Sequence, residues 1–300
     1  MLITSSLSFQ QCIVNKINLW VLLLLSFAAS TSINAKETIH WATYDFKPLH
    51  LLEGKNANTG IADQIISFIQ QQLPQYDHEN YSSVMVRILR DLQGSKLTCS
   101  GMLKRKFLAD SLIFSLPVLQ IPNHSLQFPT SRLAEIEEMT GQSFSQPVSL
   151  EALIKSHPTI KISITEHRSY GEKIDSIIER YQDNFIHNSA QVRIVDQLKF
   201  IQKKRATFTL EYPFVSAYAF RNITAPPYHS TKLLELEDHL LGHIVCNNTK
   251  QGQQVITEIN QIISTHWLTA PYRDIVEQWL PDSSIQSYRL QYEKIRKQYQ

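Results

Sequence analysis

Two short groups of residues combine charge, hydroxyl and aromatic rings in a way that suits a small polar ligand. Arg168-Ser169-Tyr170 lies at the start of a helix-forming segment, where free backbone N–H groups and the positive end of the helix attract an anion. Glu211-Tyr212 follows an apolar strand, and a sheltered carboxylate there needs a cationic or hydrogen-bonding partner. These residues predict a binding site for charged groups of both signs.

Two further groups lie earlier in the chain. Tyr44 and Phe46 follow the first predicted strand, at the edge where ligands bind in open α/β sheets, and their rings can clamp an apolar or cationic group. Lys104 and Arg105 lie on a basic turn, where the planar donor fork of arginine matches a carboxylate or a phosphate. We include all four residues in the predicted ligand-binding site.

Each of these groups also has a plain structural interpretation. The two aromatic residues would be rim packing and the two basic residues a solvated turn, while Ser169 would only cap its helix. Glu211 would form a salt bridge to Lys104 or Arg105 across a cleft. The residue types alone leave both interpretations open.

The sequence lacks the common motifs of hydrolases, zinc proteases and nucleotide-binding proteins, which are G-x-S-x-G, H-E-x-x-H and G-x-x-x-x-G-K. His239 and His243 are four residues apart, but Gly242 and the extended character of the following residues argue against a shared helical face for a metal. We predict a binding protein without catalytic activity, metal or cofactor. An exported enzyme is the least favoured alternative.

The segments that would position the first aromatic pair alternate between strand and helix. We predict strands at 38–43 and 76–81, a helix over about 60–73 with one apolar face, a second helix after Ser83 and a third strand at Cys99. This βαβαβ order favours a parallel, doubly wound sheet.

The second half of the chain repeats the alternation. Strands are predicted at 159–164, 192–195 and 206–210, with a helix over 169–181. The chain then returns to the first lobe, and the polar, basic tail from Ser283 onward is predicted to be a helix that packs there or contacts a partner.

The first 35 residues have the pattern of a signal peptide. Lys16 precedes an apolar run, Trp20–Leu25, and small residues lead to Ala35. The run is too short to span a bilayer comfortably, and an uncleaved N-terminal anchor is the alternative. Cys12 precedes the run, so a lipid anchor at the cleavage point is not expected.

Cleavage after residue 35 of the 300 would leave 265 residues, and loss of Lys16 would reduce the formal charge from +2 to +1. This net charge lacks the excess of basic residues that is typical of nucleic-acid-binding proteins. The cysteines that remain are Cys99 and Cys246, and two cysteines in an oxidising compartment favour a disulfide over free thiols.

The segment Cys99–Pro117 contains a strand with Gly101, a basic turn and the run F-S-L-P. It resembles the segment of polar amino-acid-type (family 3) periplasmic solute-binding proteins in which a glycine-containing strand, a T-P-E-R-like turn and an F-S-x-P run lead from lobe one into lobe two. It is most similar to a poorly characterised subgroup with an L-K-T-P-E-R turn, although Leu108 stands where that turn has its arginine. The opening strand, aromatic loop and G-I-A-D at 60–63 also resemble the start of this family.

This resemblance implies an α/β, two-lobe, periplasmic-binding-protein-like (type II) fold, in which each lobe is a mostly parallel sheet flanked by helices. Residues 36–119 would form the first part of lobe one, 120–225 would form lobe two, and 226–300 would complete lobe one and add a helical tail.

In function, the resemblance implies a monomeric periplasmic protein that captures a small polar ligand, amino-acid-like or anionic, for the membrane permease of an ABC-type importer. A stand-alone sensory module is the alternative. The family places ligand contacts on the turn that matches Arg168, an acidic residue that meets a ligand ammonium at Glu211, and both Cys99 and Cys246 on lobe-one strands. Without an arginine at Leu108, ordinary α-amino acids should bind weakly.

We expect the protein to be exported and cleaved near Ala35, so that the mature chain begins at Lys36, because the leader has the charge and apolar pattern of a signal peptide. Mass spectrometry of the exported protein checks the mature terminus. An intact Met1 terminus in the membrane fraction would contradict this prediction.

Overall fold

The chain forms two five-stranded sheets. The computed structural model describes residues 36–103, 111–189, 194–220, 227–280 and 282–299. The first lobe begins with β1 (Thr38–Thr43), α1 (Ile61–Gln71), β2 (Asp77–Ser82), α2 (Met85–Asp91), β3 (Thr98–Leu103) and β4 (Leu112–Pro122).

The second lobe follows, and it contains β5 (Ser125–Pro129), α3 (Leu133–Thr140), α4 (Leu150–Ser156), β6 (Ile162–Thr165), α5 (Glu172–Arg180), β7 (Phe185–Asn188), α6 (Ile194–Gln202), β8 (Phe208–Glu211), α7 (Pro213–Phe220) and β9 (Tyr228–Lys232). The chain returns to the first lobe through β10 (His239–Asn247), α8 (Lys250–His266), α9 (Ala270–Glu277) and α10 (Asp282–Gln298).

Both sheets are mixed. The strand order is β2-β1-β3-β10-β4 in the first lobe and β7-β6-β8-β5-β9 in the second. In each lobe the three strands at the start of this order are parallel, and the strand beside them, β10 or β5, is antiparallel to both of its neighbours. The α/β two-lobe prediction is confirmed. Two strands of each sheet belong to the segments that cross between the lobes, β4 and β10 in the first sheet and β5 and β9 in the second.

Helix α1 shows why these residues adopt these elements. Ile61, Ile65 and Ile69 recur at helical spacing, and all three are buried against the first sheet. Asp63 fixes the start of the helix, because its Oδ2 accepts hydrogen bonds from the backbone N–H groups of Gly60 at 3.0 Å and Leu51 at 2.9 Å. The helix is thereby attached to the loop that follows β1.

The two lobes have separate apolar cores. Trp41 lies fully buried in the first core and Phe128 fully buried in the second. Tyr212 and Phe214, at the start of α7 in the second lobe, pack into the first core. The second lobe is therefore anchored to the first by aromatic side chains as well as by the chain crossings.

The C-terminal helix α10 packs on the first lobe, which is one of the two arrangements predicted for the tail. The ring of Tyr292 stacks on Trp267 with centroids 4.6 Å apart. Arg289 donates two hydrogen bonds to Glu277 at 2.8 and 2.7 Å. The Arg289 bond lowers the pKa of Glu277, although burial opposes this shift.

Two segments differ from the sequence prediction. Residues 228–232 pair with β5 in the second sheet, whereas the predicted return to lobe one began at residue 226. The predicted strand at 192–195 is not formed at its end, because Ile194 already begins α6, while residues 192 and 193 lie outside the described range. A short β-branched run is compatible with either a buried strand or a helix start, so its composition did not decide between them.

No helix in the described part of the chain is long and apolar enough to cross a membrane.

A disulfide joins Cys99 in β3 to Cys246 in β10, which confirms the predicted pair. The two residues lie opposite each other in the antiparallel pairing of these strands. The bond closes a 147-residue separation that contains the whole second lobe. It therefore fixes the return strand beside the strand from which the chain departed.

We expect replacement of both cysteines by alanine to lower the free energy of unfolding by about 2–4 kcal/mol, because the chain-entropy model allows up to about 5 kcal/mol for so long a loop. Urea unfolding with and without reductant measures the loss. Reductant should destabilise the wild type and leave the double variant unchanged. Two titratable thiols at these positions in unfolded, unreduced protein would contradict the bridge.

Candidate ligand-binding site

The predicted site residues of both lobes lie beyond the carboxyl ends of parallel strands. Tyr44 and Phe46 follow β1, Arg168 lies three residues after β6, and Glu211 is the last residue of β8. Because β6 and β8 are adjacent and parallel, their carboxyl ends meet at one edge of the second sheet. This is the edge at which ligands bind in open α/β sheets.

Arg168 and Glu211 form a salt bridge, in which Nη1 of the arginine lies 2.8 Å from Oε2 of the glutamate. The other glutamate oxygen, Oε1, accepts a hydrogen bond from the backbone N–H of Tyr212 at 2.8 Å. The Glu211 side chain is 6% exposed and that of Arg168 is 19% exposed. Charges this buried persist only when they are paired.

Three aromatic rings surround the guanidinium of Arg168. Its Cζ lies 5.0 Å from the ring centroid of Tyr212 and 5.6 Å from those of Phe46 and Tyr170, within the range of cation–π attraction. Tyr170 and Tyr212 belong to the second lobe, whereas Phe46 belongs to the first. The structure thus brings five predicted residues from two lobes into one cluster.

Arg168 stays charged in this cluster because Glu211 stabilises it electrostatically. Burial alone would lower the pKa of the Arg168 guanidinium, but the attraction of Glu211 outweighs it and the pKa is raised. Burial raises the pKa of the Tyr170 and Tyr212 hydroxyls, so both rings stay neutral at physiological pH. The arrangement is a neutral ion pair enclosed by neutral rings.

Nη2 of Arg168 is buried and has no hydrogen-bond partner within the described residues. Buried guanidinium N–H groups are usually satisfied, because an unmade hydrogen bond to a charged donor is costly. This nitrogen is therefore the part of the cluster that is available to an added acceptor.

The aromatic loop after β1 is held by a histidine and an aspartate that the sequence prediction did not include. His50 is fully buried, its Nδ1 lies 2.7 Å from Oδ1 of Asp63, and its ring lies edge-on to Tyr44 at 5.3 Å. Burial raises the pKa of Tyr44 to about 12. Tyr44 and Phe46 have ring centroids 6.2 Å apart, so the supported ring of Tyr44 backs that of Phe46.

His124 was also missed, and it lies in the first crossing between β4 and β5. Its ring stacks on Tyr212 with centroids 3.6 Å apart and lies 4.8 Å from the ring of Tyr170. The crossing is thus in direct contact with the site. The signal available in the sequence was an imidazole directly beside the predicted connection between the lobes.

Ser169 lies near the start of α5, where its hydroxyl donates to Oδ2 of Asp175 at 2.6 Å. The backbone N–H of Tyr170 donates to Oδ1 of the same carboxylate at 2.7 Å. The carboxylate of Asp175 therefore already occupies the anion-binding position at this helix start. Lys104, Arg105 and Leu108 lie outside the described residues, so their predicted roles stay predictions.

Within the ranges that the structure describes, no group of three His, Cys, Asp or Glu side chains is arranged to hold a metal ion. His239 and His243 both lie in β10, which confirms the extended conformation expected there. Nδ1 of His243 is 2.8 Å from the carbonyl oxygen of Ser115, so this imidazole has a structural role.

We expect Arg168→Met and Glu211→Gln each to cost about 3–5 kcal/mol of unfolding free energy, because each leaves one buried charge without its partner. The double variant should cost less than either single variant, since neither charge remains. A double-mutant cycle by urea unfolding measures this coupling. The exposed pair Arg180 and Glu151 is the matched control and should show little coupling. Additive costs at 168 and 211 would contradict the pairing.

No family model matches the sequence, and no curated protein matches it. Solved structures do match the fold. The probable amino-acid ABC transporter extracellular-binding protein ytmK from Bacillus subtilis is 17% identical, with a TM-score of 0.60 over 83% of this chain and 100% of that one. A putative L-cystine ABC transporter from Listeria monocytogenes is also 17% identical, with a TM-score of 0.55 over 82% and 97%.

The BvgS VFT2 domain of Bordetella pertussis, in a double-mutant form, is 13% identical, with a TM-score of 0.55 over 81% of this chain and 93% of the domain. At these identities the comparisons establish the architecture. The chain has the two-lobe fold of extracellular solute-binding proteins and of the BvgS VFT2 domain.

Proposed function

We propose that this protein is an exported, periplasmic solute-binding protein that captures a small polar ligand between its two lobes. The observation that carries the proposal is the cluster in which Arg168 and Glu211 of one lobe meet Phe46 of the other. The cluster lies at the edge where this class of sheet binds ligands. It combines a few directional polar groups with enclosing aromatic rings, as small-molecule sites do.

Ligand capture would proceed by closing the lobes on the ligand. The polar groups of the second lobe are already held by their own hydrogen bonds, and Phe46 supplies a ring from the first lobe. A ligand that touches both lobes makes all its contacts in the closed form alone, so binding shifts the population toward that form. The bend would occur at the two crossings, 123–124 and 233–238, between the paired strands.

Delivery to the permease of an ABC-type importer is the role we favour, and the similarity to ytmK and to the L-cystine protein supports it. A stand-alone sensory module is the second candidate, supported by the similarity to the BvgS VFT2 domain. We propose binding without turnover for both roles, and incubation of a bound ligand with purified protein tests this directly.

A thermal-shift screen of amino acids, amines, small peptides and organic acids should identify a ligand. At 100 times its dissociation constant, a ligand stabilises the folded form by about 2.7 kcal/mol, which corresponds to a rise of about 5–10 °C for a chain of this size. Small-angle scattering should show a smaller radius of gyration with that ligand.

Arg168→Ala should abolish both the shift and the compaction, because it removes the donor at the centre of the site. Arg180→Ala is the matched control, since this arginine is also ion-paired but lies exposed on α5. Undiminished binding and compaction in Arg168→Ala would contradict the site assignment. Binding without compaction would contradict the closure mechanism.

A further inference from the structure

Both oxygens of the Glu211 carboxylate have hydrogen-bond donors inside the protein. Oε2 accepts from Arg168 and Oε1 accepts from the backbone N–H of Tyr212, both at 2.8 Å. The side chain is 6% exposed, so little of its surface remains for another partner. In the family resemblance this position would meet a ligand ammonium, but here Arg168 already supplies the positive charge.

The ion pair leaves the cluster without net charge. Among the described charged side chains, Arg168 and Glu211 have the largest effects on the pKa of Tyr212 at the centre of the rings. Asp45, in the loop after β1, is exposed to solvent, where a carboxylate contributes little to an ion pair. Within the part of the chain that the structure describes, an ammonium entering the cluster would therefore approach the Arg168 guanidinium without an unpaired carboxylate to offset the repulsion.

An anion meets the opposite situation. Nη2 of Arg168 is buried, lies among aromatic rings and has no acceptor within the described ranges. The other anion-binding feature of the turn, the start of α5, is filled by Asp175. Nη2 of Arg168 is thus the donor in this cluster that a ligand carboxylate would satisfy.

We propose that the ligand is a carboxylate that carries no amine, and that Arg168 replaces the ammonium group that an amino acid would present to Glu211. This inference rests on the proposed ligand-binding function and specifies its ligand class. The planar carboxylate bonds Nη2 of Arg168, and the remainder of the ligand packs on Phe46 and the neighbouring rings. The ion pair stays intact when the ligand binds.

Matched pairs of probes that differ only in the amine test the proposal. Calorimetry should compare 3-phenylpropanoate with L-phenylalanine, 4-methylpentanoate with L-leucine, and pentanedioate with L-glutamate. In at least one pair the acid should bind ten times more tightly than its amino acid, because the amino acid adds a repelled charge. Equal or tighter binding of the amino acid in every pair that binds would overturn the proposal.

The effect of Glu211→Gln on affinity is a second test, because the proposal and an ammonium-binding Glu211 predict changes of opposite sign. The amide oxygen can still accept from the Tyr212 N–H, but the guanidinium loses its internal counterion. The proposal therefore predicts severalfold tighter binding of the acid, whereas an ammonium-binding Glu211 would give weaker binding of the amino acid. Arg168→Met should abolish binding of the acid and Arg180→Met should leave it unchanged. A loss of acid binding in Glu211→Gln, with the fold intact by circular dichroism, would overturn the proposal.

The experiments distinguish failure of the carboxylate inference from failure of the proposed solute-binding function. If the screen finds an amine or a peptide that binds and compacts the protein while all three acids fail, the carboxylate inference is wrong and the solute-binding function stands. If none of the screened compounds raises the melting temperature, both are contradicted.

Discussion

The pairing of β4 with β10 is the constraint on which the two-lobe arrangement depends. The two strands are antiparallel from His239 opposite Pro122 to Asn247 opposite Leu112. Beyond this ribbon the same two chain segments pair again as β5 and β9 in the second sheet. The lobes are therefore joined by a two-stranded ribbon that runs from one sheet into the other, and Asn123 links its strands where the pairing is interrupted, through a backbone hydrogen bond of 3.0 Å to Asp238.

This ribbon connects lobe geometry to the site. His124 follows Asn123 in the interrupted stretch, and its ring stacks on Tyr212, which in turn lies under the guanidinium of Arg168. Bending the ribbon would shift the imidazole relative to the rings that hold the arginine. Because packed rings resist continuous deformation, the ribbon and the cluster should move between discrete arrangements together. The site is thus placed by the same element that connects the lobes.

The sequence predicted the elements well and their mutual contacts poorly, for reasons that particular residues illustrate. The alternation of strands and helices along the chain and the Cys99–Cys246 pair followed from apolar periodicity and cysteine count, which are local or compositional signals. Arg168 and Glu211 were both identified, but Arg168 was assigned to a ligand anion and Glu211 to a ligand or to the basic turn. Their pairing spans 43 residues and depends on β6 lying beside β8, which periodicity does not encode. His124 was missed because it is a single imidazole whose partners come from distant segments.

The distribution of the cluster between the lobes indicates how the energy of closure is divided. The ion pair and two of its three rings belong to the second lobe, so separating the lobes would leave the charges paired. What opening removes at this cluster is the ring of Phe46, which lies 5.6 Å from Arg168 and 6.1 Å from Tyr212. Such contacts are worth about 0.5–2 kcal/mol each, which is comparable to the entropy of ordering a loop residue. A cluster of this kind holds the lobes together weakly by itself, and a ligand that adds a charge-assisted bond and further ring contact can decide the equilibrium. Preorganised charges in one lobe and a single movable ring from the other therefore suit a protein whose closure must depend on its ligand.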